Sequence, residues 1–411
     1  MMDKNNKNWF FFTLLYLIVD YGRPQDILPI GFLRPGMIII IILSGFLIFG
    51  GQLREARSKQ TKMILLFIIL TALYVPFAHN NYFAYRTTEI MILFLPFILS
   101  TIICVNSITR LKSIVLVCVC LMIYLALYSA LHGGTGTGNY FQDENDISLF
   151  INMWIPFCFF LFMAENKQIT KLIYGIGLLT GIVSVIVTFS RGGFIGLLCI
   201  TFTSWVYSSK KLLSLLIIGL LGVMIFFFAS DAYWARISTL THTDEGTAFE
   251  RIETWKAGWR MFLDNPLGVG GHNFEARFPD YQSDNFKKNM WGRAAHSLWL
   301  TLVPELGIVG IFIYFTLLFY NLRDIFDLRK LRAENDPDLK YIRYLSCAFI
   351  ASLAGFFSSG TFLSVLYYPH YWYLTGIIVA ATKIARNIAD KNIIKTRQIG
   401  DRVKSPEIAA Y

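Results

Sequence analysis

The chain is divided into a series of apolar runs, most of them about as long as the stretch that crosses the hydrocarbon core of a membrane as a helix. They lie near residues 9–20, 36–50, 62–78, 87–105, 111–131, 146–164, 170–189, 193–208, 212–229, 297–320, 342–364 and 369–385. Of the 411 residues, 55% are hydrophobic and only 16% are charged, which is more apolar surface than a soluble chain buries. The sequence predicts an all-α polytopic membrane protein with about 12 transmembrane helices.

Lysine and arginine are distributed unevenly between the connections. If the N-terminus is cytoplasmic, the connections on that side and the tail carry most of the basic residues. The opposite short connections carry only Arg23, Arg34, Arg86 and Arg191. The positive-inside rule then predicts an even number of spans with both termini in the cytoplasm. The distribution of the positive charge, which sums to +10, is therefore explained by membrane orientation, and we expect no nucleic-acid partner.

One polar interval is far longer than the others. It lies between the ninth and tenth runs and is predicted on the non-cytoplasmic side. Long loops on a rigid scaffold often carry function. We divide the chain into transmembrane helices 1–9 (1–229), the long, partly helical loop (230–296), helices 10–12 (297–385) and a basic cytoplasmic tail (386–411).

Two arginines are candidates for binding an anion. Arg191, in Ser190-Arg191-Gly192-Gly193, joins two apolar runs at the membrane boundary, where it serves either a ligand or the lipid phosphates. Arg251 lies near the start of a predicted loop helix, and its alternative partners are Glu250, Glu253 or the lipid headgroups. An arginine fork suits a diphosphate because it donates paired, charge-assisted hydrogen bonds.

The same loop helix has an apolar stripe at three- and four-residue spacing, which would face either the membrane surface or the helical bundle. Its members are Phe249, Ile252, Trp255, Trp259 and Phe262. The sequence 265–270, Asn-Pro-Leu-Gly-Val-Gly, is predicted to end the helix in a turn.

His296 opens the tenth run and is the candidate general base, because an imidazole can accept a proton from a sugar hydroxyl at neutral pH. The alternative is a polar tip at the headgroup level. Three further residues, His272, Glu305 and Asn145, are secondary candidates. His272 lies in a glycine-rich turn, and Glu305 orients a partner or satisfies buried polar groups. Asn145 and the following Asp146 are interpreted as a helix cap, with hydroxyl binding as a secondary role.

The cysteines give no sign of a disulfide framework or a metal centre. All of them lie in or beside apolar runs, and none lies in the long loop: Cys104, Cys118, Cys120, Cys158, Cys199 and Cys347. We predict no metal site and no cofactor.

Taken in order, these motifs resemble the O-antigen ligase and polymerase superfamily of the bacterial envelope. The resemblance covers about residues 138–310 and is carried by Ser190-Arg191-Gly192-Gly193, Arg251 with Trp255, the 265–270 turn, Ala295-His296-Ser297 and Glu305-Leu306-Gly307.

The resemblance implies a GT-C-like membrane enzyme of the inner membrane with a periplasmic loop and active site. Its donor would be an undecaprenyl-diphosphate-linked glycan, bound by Arg191 and Arg251. His296 would activate the acceptor hydroxyl, so that transfer inverts the anomeric carbon without a metal.

The sequence is also compatible with other functions. Within the enzyme class, the acceptor is lipid A–core for a ligase, another glycan for a polymerase, or a protein hydroxyl for an O-glycosylation ligase. Outside that class, a flippase for the same lipid would have a similar number of spans, and we expect it to show matching halves, which the sequence lacks. A receptor or scaffold would tolerate neutralisation of the loop cations.

Overall fold

The structure is a computed structural model that describes residues 2–28, 30–138, 140–212, 215–216, 219, 222–223, 246–286, 288–331 and 336–404. Within these ranges the secondary structure is helical and contains no β-strand. The first nine α-helices are α1 (Met2–Gly22), α2 (Pro24–Ile27), α3 (Pro35–Phe49), α4 (Lys59–Tyr74), α5 (Asn81–Cys104), α6 (Ile108–Leu131), α7 (Glu144–Ala164), α8 (Gln168–Val187) and α9 (Arg191–Tyr207). The remaining ones are α10 (Gly246–Asp264), α11 (Asn273–Tyr281), α12 (Leu298–Arg329), α13 (Pro337–Gly360) and α14 (Pro369–Lys404).

The membrane class predicted from composition is confirmed. In the described part of the chain, seven helices are long and apolar enough to cross a membrane: Gly31–Phe49, Asn81–Cys104, Ile108–Leu131, Glu144–Ala164, Gln168–Val187, Leu298–Arg329 and Pro337–Gly360. Helices α1, α4, α9 and α14 coincide with four more predicted runs. Most of the ninth run, 212–229, and the first part of the 230–296 loop lie outside the described residues. The count of twelve spans therefore stays a prediction.

Helices α7 and α13 form the centre of the bundle. In their most apolar windows 83% and 72% of the residues are buried, more than in the other candidate spans. Small residues let α9 approach them closely: a methyl group added at Gly196 would overlap Ser359 and Asn152. The Asn152 amide also donates to Gly193 O at 2.8 Å and to Ser359 Oγ at 3.3 Å. These contacts fix the first turn of α9, where Arg191 lies.

Helix α12 is bent at Gly307, whose φ of 60° and ψ of −161° are not helical. The turn at 265–270 lies against this bend. Val269 N donates to Pro304 O (3.0 Å), Gly270 N to Glu305 O (2.8 Å), and Ile308 N to Pro266 O (2.9 Å). A methyl group on Gly307 would overlap the backbone of Pro266 and Leu267. The turn after α10 is thus joined to the bundle by backbone hydrogen bonds.

Candidate functional site

Arg191 is the first residue of α9, directly after the capping residue Ser190. Ser190 Oγ accepts a hydrogen bond from Gly193 N at 2.9 Å, as an N-cap does, and donates one to Asn145 Oδ1 at 2.7 Å. The start of α9 is therefore tied to the first turn of α7.

The interpretation of Asn145-Asp146 as a helix cap is wrong by two residues. Asp143 is the cap of α7, and its Oδ1 accepts from Asn145 N at 2.8 Å and from Asp146 N at 2.9 Å. The segment Asp-Glu-Asn-Asp offers three residues that can cap, and the backbone conformation selects the first of them: Asp143 is extended, with φ −131° and ψ 170°. Asn145 instead accepts the hydrogen bond from Ser190, next to Arg191.

The turn after α13 joins three parts of the site. A methyl group on Gly192 would lie 3.6 Å from Phe362 Cβ, and the rings of Phe362 and Trp255 are 6.3 Å apart. Ser364 Oγ accepts a hydrogen bond from His296 N at 2.9 Å. The start of α9, the loop helix α10 and the segment that leads into α12 therefore meet around residues 361–364.

Arg251 lies on α10 and forms no ion pair in the described part of the chain, although the carboxylate of Asp143 raises its pKa slightly. The two glutamates beside it pair elsewhere: Glu250 with Arg293 at 3.0 Å and Glu253 with Lys256 at 2.8 Å. Partial burial lowers the pKa of Arg251, and the positive charge of Arg191 lowers it further. Burial and like charge both oppose ionisation of a guanidinium, so this arrangement favours a bound anion.

His296 is held in a left-handed conformation, with φ 46°, by contacts on both sides. Ser364 accepts from its backbone N–H, and Trp255 Nε1 donates to the carbonyl of Ala295 at 3.1 Å. Burial lowers the pKa of His296 below its usual 6.5, and the charge of Arg251 lowers it further. The imidazole is therefore largely neutral at pH 7, the form that can accept a proton.

Arg293 belongs to the same cluster, although no sequence motif selected it. Its charge contributes to the lowered pKa of both Arg251 and His296, while the carboxylate of Asp143 opposes that effect. Only 13% of the Arg293 side chain is exposed, and its Nε donates to Thr254 Oγ1 at 2.7 Å. A position three residues before His296 is its only signal in the sequence.

Glu305 and His272 form a separate cluster that supports the loop. The Glu305 carboxyl group accepts hydrogen bonds from His272 N (2.9 Å), Phe274 N (3.3 Å) and Tyr367 OH (2.7 Å). His272 Nδ1 lies 2.9 Å from Thr87 Oγ1, and its ring stacks on Tyr367 at 5.1 Å. Burial lowers the pKa of His272. No hydrogen bond in the described ranges joins either residue to Arg251 or His296.

The apolar stripe of α10 does not pack as a unit. Phe249, Ile252 and Trp259 are 44%, 37% and 53% exposed, whereas Trp255 lies against the 361–364 turn. The face that packs on the bundle is a different one, with the buried residues Thr254, Ala257, Gly258 and Met261. Most of the stripe therefore suits the surface of a membrane and not the bundle.

Comparison with known families identifies one domain. Residues 176–315 match the family described as O-antigen ligase. The match includes Arg191, Arg251 and His296, and it begins after Asn145. A search of curated proteins found none that matches the chain. The resemblance inferred from the motifs is confirmed over residues 176–315, which are similar to the O-antigen ligase family.

Proposed function

We propose that the protein transfers an oligo- or polysaccharide from undecaprenyl diphosphate to an acceptor hydroxyl at the periplasmic face of the bacterial inner membrane. The family match supports a glycosyltransferase of the ligase kind. The donor, the sidedness and the roles of individual residues are our proposal.

The observation that carries this proposal is the partly buried guanidinium of Arg251. It forms no ion pair with a carboxylate in the described part of the chain. The positive charges of Arg191 and Arg293 act on it, and the more distant carboxylate of Asp143 opposes them in part. Like charges brought together at partial burial are unfavourable until an anion neutralises them. A diphosphate carries at least two negative charges and accepts paired hydrogen bonds, so Arg191 and Arg251 are suited to hold it.

The reaction then requires a base on the acceptor side. The acceptor oxygen attacks the anomeric carbon, and His296 takes the hydroxyl proton. The bond between that carbon and the diphosphate oxygen breaks, and its electron pair leaves with the diphosphate. The guanidiniums stabilise the negative charge that develops on the leaving group. Attack from the face opposite to the leaving group inverts the anomeric configuration.

Purified protein in detergent, given a lipid-linked glycan and acceptor, tests these roles. We expect Arg191→Ala, Arg251→Ala and His296→Ala to lose transfer. Arg260→Ala is the matched control, because Arg260 lies on the same helix as Arg251 but is exposed and donates to Tyr281 O. Normal transfer by the three site variants would exclude the proposed mechanism.

The acceptor class is decided by the product. In a strain that lacks the protein, a glycan ladder that is made but not attached to lipid A–core indicates a ligase. A single repeat on the core indicates a polymerase. Unmodified protein with normal lipopolysaccharide indicates an O-glycosylation ligase.

A further inference from the structure

A shallow, solvent-open cavity of about 450 Å³ lies beside His296 and is formed by one segment of the loop. Its lining residues are Lys288, Asn289, Met290, Trp291, Gly292, Arg293, Ala294 and His296. Neither Arg191 nor Arg251 is among these lining residues.

The charged residues that line this cavity are positive. Lys288 and Arg293 contribute cations, and no Asp or Glu is among the lining residues. Arg293 is fixed by Thr254 through Nε and by Glu250 through Nη1. These two bonds leave the N–H groups of its Nη2 for a further acceptor, because a guanidinium has five N–H donors.

The remaining lining side chains suit a sugar ring. Trp291 is 61% exposed, although its ring lies 6.1 Å from that of Phe83. An indole offers an apolar face on which the C–H face of a pyranose can lie. Asn289 is fixed by accepting a hydrogen bond from Trp291 N at 2.9 Å, and its amide N–H groups can donate to hydroxyls.

We propose that this cavity binds the acceptor, and that it selects an acceptor sugar bearing a negative charge, either a phosphate or a carboxylate. The inference rests on the proposed function, because it places the acceptor hydroxyl at His296. Lys288 and Arg293 bind the anionic group, Trp291 carries the ring, and the hydroxyl to be glycosylated points to the imidazole.

Binding of small sugars to the full-length protein in detergent tests this directly. The probes are glucose 6-phosphate, glucuronic acid and glucose, measured by saturation-transfer NMR. We expect both anionic sugars to bind more tightly than glucose. Comparison of glucose 6-phosphate with glucuronic acid shows whether the cavity prefers a phosphate or a carboxylate. Lys288→Ala should weaken the anionic sugars about three- to fivefold, as for an exposed ion pair, and leave glucose unchanged. Trp291→Ala should weaken all three by about two- to tenfold.

Two variants serve as matched controls. Lys340→Ala removes an exposed lysine at the first turn of α13. The opposite end of this helix leads into the 361–364 turn, so Lys340 lies at the end away from the site. Trp259→Ala removes an exposed tryptophan from α10. Both should bind all three sugars as the wild type does.

Equal binding of glucose and glucose 6-phosphate, or equal effects of Lys288→Ala and Lys340→Ala, would overturn the inference. In the transfer assay, Lys288→Ala and Trp291→Ala should raise KM for an anionic acceptor without changing KM for the donor. If Arg251→Ala abolishes transfer while acceptor KM stays the same in both cavity variants, the acceptor site is refuted and the proposed function stands. Sugar binding without any transfer by the wild type refutes the proposed function instead.

Discussion

Replacing Gly307 by alanine should release the 265–270 turn from α12. With φ 60° and ψ −161°, Gly307 lies in a region that is essentially restricted to glycine. Forcing another residue into such a conformation costs about 1–3 kcal/mol. The new methyl group would also overlap the backbone of Pro266 and Leu267. The turn and the helix would have to separate to relieve this overlap.

Separation breaks the three backbone hydrogen bonds that join the turn to the bend, each worth about 0.5–1.5 kcal/mol. Because separation also relieves the strain at residue 307, the junction loses only these hydrogen bonds, roughly 1.5–4.5 kcal/mol in all. At about 1.4 kcal/mol per factor of ten, the amides of Val269, Gly270 and Ile308 should exchange hydrogen about one to three powers of ten faster.

Hydrogen exchange followed by mass spectrometry measures this loss on peptides that cover 265–271 and 304–310. Gly45→Ala is the control, since Gly45 lies within α3 and a methyl group there meets no atom within 4 Å. It should leave exchange at 265–271 unchanged and stabilise α3 by about 0.5–1 kcal/mol. Folded Gly307→Ala protein with wild-type exchange at Val269, Gly270 and Ile308 would refute the proposed role of the bend.

Three further predictions concern the site. Because His296 must be neutral to accept a proton, activity should be lost as pH falls through its lowered pKa. Arg293→Gln removes a cation and should therefore move this acidic limb of kcat/KM to higher pH. Asp143→Asn removes an anion but keeps a capping residue, and it should move the limb to lower pH. Unmoved limbs in both variants would contradict the electrostatic coupling. Arg251→Lys keeps the charge but not the paired hydrogen bonds, so kcat/KM should fall about 10- to 100-fold, and an unchanged value would rule out a fork-like contact. Ser364→Ala removes the acceptor for the backbone N–H of His296 and should lower kcat about two- to tenfold with little change in donor KM, whereas a change in donor KM alone would show that Ser364 acts elsewhere.

Local patterns in the sequence predicted the helical elements well. The stripe from Phe249 to Phe262 predicted a loop helix, and α10 covers it. The proline and glycines at 265–270 predicted the turn that ends it. Such signals are short-range, because periodicity and turn chemistry depend on neighbouring residues.

The sequence did not predict contacts between residues that are far apart along the chain. Gly307 lies within an apolar run, and nothing in the neighbouring sequence distinguishes it from a glycine inside a transmembrane helix. The reason for its positive φ is evident only in the structure, where Pro266 and Leu267 lie against it. Arg293 has no pattern that distinguishes it from other loop cations, since its importance depends on which charges are near it. The partners of Glu305 lie 31 to 62 residues away along the chain. Pairings of this kind depend on tertiary packing, which one sequence does not specify.

The site lies where helices begin, and this adds to its positive potential. The first turns of α7 and α9 are joined by Asn145 and Ser190, and Phe362 connects α9 to the turn that holds His296. Helix N-termini carry partial positive charge, each worth about 0.3–1 kcal/mol toward an anion. Hydrogen bonds to charged groups are worth about 1.5–3 kcal/mol each, so the guanidiniums dominate and the helix ends assist. Partial burial strengthens both contributions, because the lower local dielectric reduces screening. The same burial favours a neutral His296, so one environment suits both proposed roles, anion binding and proton transfer.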